Sequence, residues 1–400
     1  MKSTLSQENS SLIALPKEYL FSEISRRVKE REVRSSSVEW IDLSVGDPSL
    51  PIFPSIVKEW KAMAAGLGDS EKYTGYGPIE GYGELREKIA EVWYGGKVEA
   101  DEIFISDGAK PDIGRLQFLF SSTSHVAIQS PAYPVYAGAS LLSGKSKITF
   151  IPCMRSSGFS FFDNSTHSLS SSPFDLYYLC SPHNPTGLAA GREELQQLVS
   201  WAKASGCILL FDSAYSAFVG GEKRPHSIYS IPEACQVAIE IGSFSKCASF
   251  TGVRLGWSVV PRELCFRNGV SVREEWKRVL SHLFNGASNL AQTGGMAFLQ
   301  PESQMMMQEH VAYYRENSLL LKKALQELSC IDKILGGVDA PFLWVKMKEM
   351  NAWQGFEFFL DRAIISTPGI GFGKEGESFV RLSTFCLRDQ IQKAIDYLFQ

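Results

Sequence analysis

Six short runs of β-branched, aromatic and other apolar residues constrain most strongly what this chain can fold into. They lie at 103–106, 125–129, 175–180, 207–212, 237–242 and 256–260. Helical stretches separate them, as where Leu195, Leu198, Val199 and Ala202 recur at helical spacing before Gly206. This alternation predicts an α/β domain with a mostly parallel central sheet flanked by helices. Because the runs are almost continuously apolar, we expect their strands to be buried on both faces.

Length and charge narrow the class of protein. The 400 residues are 44% hydrophobic and 21% charged, with a net charge of −4. At about 150 residues per domain, we expect a large domain over 45–290 and a smaller α+β domain formed by 291–400 and by 1–44, which includes an N-terminal arm. The near-neutral charge argues against a nucleic-acid partner. No apolar stretch reaches the roughly 20 residues of a membrane helix, so we expect no membrane partner.

The cysteines and the first residues bear on location. The eight cysteines show no CxxC spacing and no cluster with histidine. Residues 1–11 are polar and lack the apolar core of a secretion signal. Disulfide frameworks belong mainly to small secreted domains, so we expect free thiols and a cytoplasmic location.

Polar residues follow five of the predicted strands. These segments are DGAK (107–110), SPAY (130–133), SPHNPTG (181–187), DSAY (212–215) and SFSK (243–246). In parallel sheets, ligands bind outside the carboxyl ends of the strands. One such segment is unremarkable, but five in a row predict a shared site.

The DGAK segment has the features of an anion site. Gly108 permits a tight turn and Pro111 suits a first helical turn, so free amides and the helix dipole would face a phosphate. Ser243, Ser245 and Arg254 can add hydroxyls and a guanidinium. An ordinary capped helix is the alternative for this turn alone. No dinucleotide or Walker motif is present, so the phosphate is not expected to belong to NAD or ATP.

Three further side chains suggest chemistry. Lys246 follows a strand among small and apolar neighbours, where desolvation lowers the pKa of an amine and suits it to Schiff-base formation. Asp212 closes an apolar strand, so its carboxylate needs a cationic or hydrogen-bonding partner. Tyr133 could stack on a planar cofactor. Taken singly, each has a plain alternative: a lysine extending to solvent, a capping or ion-paired aspartate, and ordinary aromatic packing.

Together these residues resemble the class I and II, fold-type I aminotransferases, which depend on pyridoxal 5′-phosphate. The central motif is SFSKCASFTGVRLGW (243–257), and SPHNPTG and DSAY stand in the family order. By this resemblance, Lys246 binds the cofactor covalently and moves the substrate proton, and Asp212 pairs with the pyridine nitrogen. Asn184 and Tyr215 bind the phenolate oxygen, and Tyr133 stacks on the ring.

The resemblance also implies how phosphate and substrate are held. The residues expected at the phosphate are Ala109, Lys110, Ser243, Ser245, Arg254 and, from a partner subunit, Tyr76. This implies a homodimer whose active site is shared across the interface. Arg381, in FVRLST, matches the arginine that binds the substrate α-carboxylate. A structural salt bridge is its alternative role.

A finer resemblance is to the LL-diaminopimelate aminotransferases, a branch of that family. It rests on LPKEYLF (15–21), LSVGD (43–47), GYGP (75–78), FISDGAK (104–110), FNGAS (284–288) and STPGIGFG (366–373). The branch exchanges an amino group between LL-2,6-diaminopimelate and 2-oxoglutarate, giving tetrahydrodipicolinate and glutamate, for lysine and cell-wall synthesis. The substrate contacts implied are Tyr19, Gly46, Lys110, Tyr133, Asn184, Asn285 and Arg381.

Two positions depart from the pattern, and they leave other functions open. His183 stands where many relatives have asparagine, and Ile79 stands where members often have an acid. The alternatives are an aminotransferase acting on aspartate, alanine or an aromatic donor, a β-eliminating lyase, and, more remotely, a non-catalytic cofactor-binding regulatory protein.

Overall fold

The computed structural model describes residues 9–15, 20–32, 38–155, 158–162, 174–220 and 224–400. The strands in these residues are β1 (Ile41–Asp42), β2 (Ile103–Ser106), β3 (Val126–Ser130), β4 (Ile148–Pro152), β5 (Met154–Arg155), β6 (Gly158–Phe159), β7 (Leu176–Cys180), β8 (Ile208–Asp212), β9 (Ala238–Ser243), β10 (Gly256–Val259), β11 (Ile331–Gly336), β12 (Phe342–Met347), β13 (Ile364–Ile365), β14 (Thr367–Pro368) and β15 (Phe379–Ser383).

Helices cover the sheets and connect them. The α-helices in the described residues are Leu20–Glu32, Pro54–Gly66, Gly83–Tyr94, Ala109–Leu116, Val135–Leu142, Arg192–Ser205, Phe244–Cys247, Val272–Leu283, Asn289–Phe298, Pro301–Gln326, Ala352–Leu360 and Arg388–Leu398. The helix predicted from the Leu195 spacing is present, and Gly206 ends it in the left-handed conformation.

The central sheet has seven strands in the order β2-β10-β9-β8-β7-β3-β4. All six predicted strands are present, and the α/β prediction is confirmed. Strands β2, β3, β7, β8 and β9 are buried along their whole length, as their apolar runs predict. The sequence does not predict the seventh strand, β4, because it lies at the sheet edge and only one of its five residues is buried, so it lacks a continuous apolar run.

A second, antiparallel sheet has the order β11-β12-β15-β14 and belongs to the C-terminal part of the chain. The N-terminal β1 pairs in parallel with β13, with Ile41 opposite Ile364. Ile41 packs in one buried cluster with Leu343 and Val380. These contacts support the predicted small domain of 1–44 and 291–400, which stays a prediction.

No helix among the described residues is long and apolar enough to span a lipid bilayer.

The interior of the central sheet leaves no room beside Trp257. Trp257 on β10 is directly opposite Gly242 on β9, and a Cβ built on Gly242 would overlap the indole ring. Trp257 is fully buried, and its Nε1 donates to the Tyr94 hydroxyl at 2.8 Å. Because the ring is held on all sides, it cannot move aside cheaply.

We therefore expect Gly242→Ala to lower the free energy of unfolding by about 1–3 kcal/mol through overpacking. Gly114→Ala is the matched control, because a Cβ on Gly114, in a helix, meets open space. That control should be neutral or stabilising by up to about 1 kcal/mol. Chemical denaturation of both variants measures the difference, and equal stabilities would contradict the packing argument.

Candidate active site

The five polar segments meet at one edge of the central sheet. β2, β3, β7, β8 and β9 run in the same direction, so the segments that follow them lie on the same side. β10 runs in the opposite direction and starts at this edge, where Gly256 is opposite both Ser106 and Ser243. The side chains predicted to share a site are thus brought to one region, which we call the strand-tip cluster (residues 107–110, 130–133, 181–187, 212–215 and 243–246).

A short helix presents Lys246. Helix Phe244–Cys247 starts where β9 ends, and Ser243 is its N-cap. The Ser243 hydroxyl accepts a hydrogen bond from the Ser245 amide at 3.1 Å. Both serine side chains are buried beside the lysine. The lysine is therefore fixed on a capped turn rather than on a free loop.

The Lys246 amine is enclosed by the protein. It donates a hydrogen bond to the carbonyl oxygen of Gly46, which precedes helix Pro54–Gly66. Burial lowers the pKa of Lys246 to about 8; nearby Asp47 opposes this effect, and the charges of Arg381 and Arg254 reinforce it. A substantial fraction of the amine is thus neutral and nucleophilic at mildly alkaline pH.

Asp212 is a buried carboxylate at the end of β8. Its Oδ2 accepts a hydrogen bond from the Tyr136 hydroxyl at 2.7 Å, and its Oδ1 accepts one from the Ala214 amide at 3.0 Å. Burial raises the pKa of Asp212, and these two donors lower it. Both donors are neutral, so the carboxylate is solvated by the protein without being neutralised.

Sequence reasoning missed Tyr136. It lies in helix Val135–Leu142, three residues after Tyr133, and is stacked on Tyr178 with ring centroids 4.8 Å apart. Tyr133 meets it edge-on at 5.7 Å. The sequence shows that Tyr136 follows Tyr133 by about one helical turn. Nothing in the neighbouring sequence indicates that its hydroxyl reaches Asp212.

Arg381 is held in a fixed position on β15. Its Nη1 donates to Oδ1 of Asn184 at 2.7 Å, and its Nη2 donates to the carbonyl oxygen of Ser44 at 2.5 Å. The guanidinium lies over the rings of Phe342 and Phe372, at 4.6 and 4.8 Å from their centroids. Neutral acceptors and aromatic faces orient its charge, which suits it to bind a carboxylate.

Tyr215 completes this part of the cluster. Its ring packs edge-on against Phe342 at 5.2 Å. Burial raises the pKa of Tyr215, and the charge of Arg381 opposes that shift. The phenol therefore stays protonated near neutral pH and can donate a hydrogen bond.

The predicted anion site is formed by close backbone approach. Gly108 is the N-cap of helix Ala109–Leu116 and has φ 117°, a conformation that favours glycine. A Cβ on Gly256 would lie 3.0 Å from the Ala109 nitrogen, and a Cβ on Gly108 would overlap the Arg254 guanidinium. Gly256 and Arg254 thus pack against the start of this helix, and Ser243 is opposite Gly256 in the sheet. A cation and a hydroxyl-bearing residue therefore lie near a helix N-terminus, where a phosphate is favoured.

Three of the other predicted residues are exposed rather than enclosed. Lys110 is exposed on the first turn of its helix, and Asn285 is exposed in the loop after helix Val272–Leu283. Tyr76 is 89% exposed on a segment without helix or strand. Tyr19 lies outside the described residues.

The two departures have structural explanations. His183 is fully buried beside Phe159, and its Nδ1 is 2.9 Å from the Thr186 hydroxyl. Burial lowers the pKa of His183 to about 3, so it is a neutral packing residue. Ile79 is half-buried against the apolar cluster on one face of the sheet.

The shifted pKa of Lys246 gives a direct test. In the ligand-free protein, its acetylation rate by acetic anhydride should rise through pH 8 and then level off, because the amine is neutral above its pKa. Ordinary exposed lysines serve as the internal control, with rates that keep rising toward their usual pKa of about 10.4. Peptide mass spectrometry measures the acetylation rate of each lysine. A pH dependence for Lys246 that parallels that of the exposed lysines would contradict the burial argument.

Comparison with known proteins places this site in a family. Residues 38–398 match the family model for aminotransferase class I and II. The chain is 43% identical over 402 residues to an LL-diaminopimelate aminotransferase of Protochlamydia amoebophila, with 97% of this chain and 96% of that one covered. It is 39% identical to the chloroplastic LL-diaminopimelate aminotransferase of Arabidopsis thaliana, with 96% and 85% covered.

A solved structure agrees with the sequence relatives. The L,L-diaminopimelate aminotransferase of Chlamydomonas reinhardtii matches with a TM-score of 0.92 at 41% identity, over 99% of both chains. The chain therefore belongs to aminotransferase class I and II, the pyridoxal-phosphate-dependent family that its strand-end residues resemble.

Proposed function

We propose that this protein is an LL-diaminopimelate aminotransferase, which exchanges an amino group between LL-2,6-diaminopimelate and 2-oxoglutarate to give tetrahydrodipicolinate and glutamate. The observation that carries the proposal is similarity along nearly the whole chain to relatives with that name, at 43% and 39% identity. In the lysine-forming direction, glutamate is the amino donor.

The residues present fit pyridoxal phosphate. Asp212 is a buried carboxylate with only neutral donors among the described residues, and it suits a protonated ring nitrogen. Gly108, Gly256 and Arg254 pack together at the N-terminus of helix Ala109–Leu116, which suits the phosphate. When bound, the cofactor supplies an electron-withdrawing ring that stabilises negative charge at the substrate Cα.

The protein's own groups then have separate tasks. Lys246 Nζ, with its pKa lowered to about 8, takes the proton from the substrate Cα. Arg381 binds the α-carboxylate with a guanidinium already oriented by Asn184 and two aromatic rings. Asp212 keeps the ring nitrogen protonated, and Tyr215 donates a hydrogen bond from its protonated phenol.

Recognition of the second amino-acid group of the substrate is assigned to exposed residues. We propose that Lys110 binds the distal carboxylate and that Asn285 accepts from the distal ammonium. Tyr19, outside the described residues, keeps the role implied by resemblance. Ile79 cannot act as an acceptor, so amide and hydroxyl oxygens have to replace an acid there.

We also propose a homodimer with a shared active site. Tyr76 is 89% exposed, and Tyr73 nearby in the chain is 67% exposed, so this segment presents aromatic surface that a partner could cover. The loop that carries Asn285 touches the same segment, since a Cβ on Gly286 would lie 3.0 Å from the Pro78 carbonyl oxygen. Tyr76 and Asn285 are thus presented together, which supports their reaching a partner's site together.

The proposed location is the cytoplasm. The eight cysteines are all free, and five of them are buried. Free thiols are typical of a reducing compartment, and this supports the proposal.

The substrate proposal is tested by the first half-reaction. Purified holoenzyme without an acceptor is mixed with LL-diaminopimelate, glutamate, aspartate, alanine or phenylalanine, and the cofactor absorbance is followed. We expect LL-diaminopimelate and glutamate to react about 10- to 200-fold faster than the others, the range that side-chain contacts usually provide. If LL-diaminopimelate is inert while another donor reacts, the substrate assignment is wrong and the aminotransferase assignment stands.

The role of Tyr136 is tested by cofactor binding rather than by activity. Tyr136→Phe removes a donor to a charged group, worth about 1.5–3 kcal/mol, and should weaken pyridoxal phosphate binding about tenfold or more. Tyr177→Phe is the matched control, because its buried hydroxyl has no hydrogen-bond partner among the described residues. Fluorescence titration of both apoenzymes measures the affinities; equal affinities would remove Tyr136 from the cofactor site.

A further inference from the structure

A cavity of about 630 Å³ lies beside residues 216–219, which follow Tyr215 in the chain. Its walls come from the end of helix Gly83–Tyr94, the start of helix Arg192–Ser205, residues 216–219 and 224–230, and helix Pro301–Gln326. None of the residues assigned above to cofactor or substrate lines it. Its size is within the range of small-molecule sites. We call it the basic cavity.

The charge of the basic cavity is one-sided. No acidic side chain occurs among its described lining residues, and its basic ones are Lys97, Arg192, Arg224, Arg315 and His226. The protein as a whole carries a net charge of −4. Clefts lined by one sign of charge focus the electrostatic potential and concentrate ligands of the opposite sign.

The other large cavity differs in this respect. The cavity at the amino ends of the sheet strands, of about 880 Å³, carries Lys203 and Arg267 together with Asp175 and Glu275. Lys203 is in an ion pair with Glu233. The larger cavity thus has as many acidic as basic lining residues among those four, whereas the basic cavity has only basic ones.

Most of the cations there are oriented but not neutralised. Arg224 forms an ion pair with buried Asp339. Arg192 donates to the Ser230 carbonyl oxygen at 2.9 Å, and Arg315 donates to two carbonyl oxygens at 3.1 Å. Among the described residues, neither of these two arginines nor Lys97 is in an ion pair with a carboxylate. Three positive charges are thus available to an anion, two of them held by backbone acceptors.

The remaining wall of the basic cavity is apolar. Trp93 is half-buried, with its Nε1 3.3 Å from the Ser216 hydroxyl, and Met307 and Val311 lie on the long helix opposite. A ligand that fits both walls carries several negative charges and a carbon framework. Arginine binds phosphate and carboxylate groups in the same bidentate way.

We propose that the basic cavity is a binding site for a polyvalent organic oxyanion, either a phosphate ester or a polycarboxylate. The site lies beside residues 216–218, the turn that continues from Tyr215. It does not depend on the substrate proposed above, because none of its lining residues belongs to the strand-tip cluster.

The experiment is isothermal titration of the holoenzyme with fructose 1,6-bisphosphate, a phosphate ester, and, separately, with citrate, a polycarboxylate. We expect saturable binding of at least one of them. Tighter binding of the bisphosphate identifies a phosphate-ester site, and tighter binding of citrate identifies a carboxylate site. The variant Lys97→Ala/Arg192→Ala should bind at least tenfold more weakly. The control Lys203→Ala/Arg267→Ala removes the same charge from the other cavity and should bind as the unaltered protein does.

Three results would overturn the proposal. One is the absence of saturable binding for both anions. Another is an equal loss of anion affinity in both double variants, which would show that binding depends only on the overall charge of the protein. The third is an unchanged affinity in both double variants. That result would place the anion at another site, for example at Arg381, which neither variant alters. Thermal melting of each variant shows whether it is folded before it is titrated.

Discussion

The burial of one carboxylate, Asp212, is the interaction on which the rest of the site depends. An ionised carboxylate inside a protein is costly unless it is hydrogen-bonded or paired. Here the Tyr136 hydroxyl and the Ala214 amide donate to it at 2.7 and 3.0 Å, yet neither brings a positive charge. The fold thus holds a carboxylate that has no cationic partner among the described residues. Under the proposed function, a protonated pyridine ring would be that partner.

The same burial acts in the opposite direction on Lys246. Desolvation disfavours the charged form of any group, so it raises the pKa of Asp212 and lowers that of Lys246. Hydrogen-bond donors then oppose the shift at Asp212, while Arg381 and Arg254 strengthen it at Lys246. Burial thus disfavours the charged form of both groups, while the donors to Asp212 favour its anion and the cations near Lys246 favour its neutral amine.

The strands of the central sheet and the position of the site at one sheet edge were predictable, because they depend on strand direction and on the local hydrophobic pattern. Apolar runs predicted the strands, and parallel strands necessarily bring their following segments to one edge. Tyr136 was not predictable, because its contact with Asp212 joins residues 76 positions apart and has no local signal. The same holds for Arg381 and Asn184, which are 197 positions apart and meet only when the two sheets pack together. Family resemblance gave their roles, and geometry gave the contact.

The exposed residues explain why a single chain is an incomplete enzyme under the proposed function. Arg381, Asp212 and Lys246 are enclosed and oriented within one chain, whereas Tyr76 and Asn285 face outward. A ring that is 89% exposed gains little from folding and gains much when a second surface covers it. Since helix Asn289–Phe298 follows the Asn285 loop, and the Asn289 amide donates to the Gly75 carbonyl oxygen at 2.9 Å, the two segments are fixed to each other before any partner arrives. Dimerisation would then add both residues to a site as one preorganised unit.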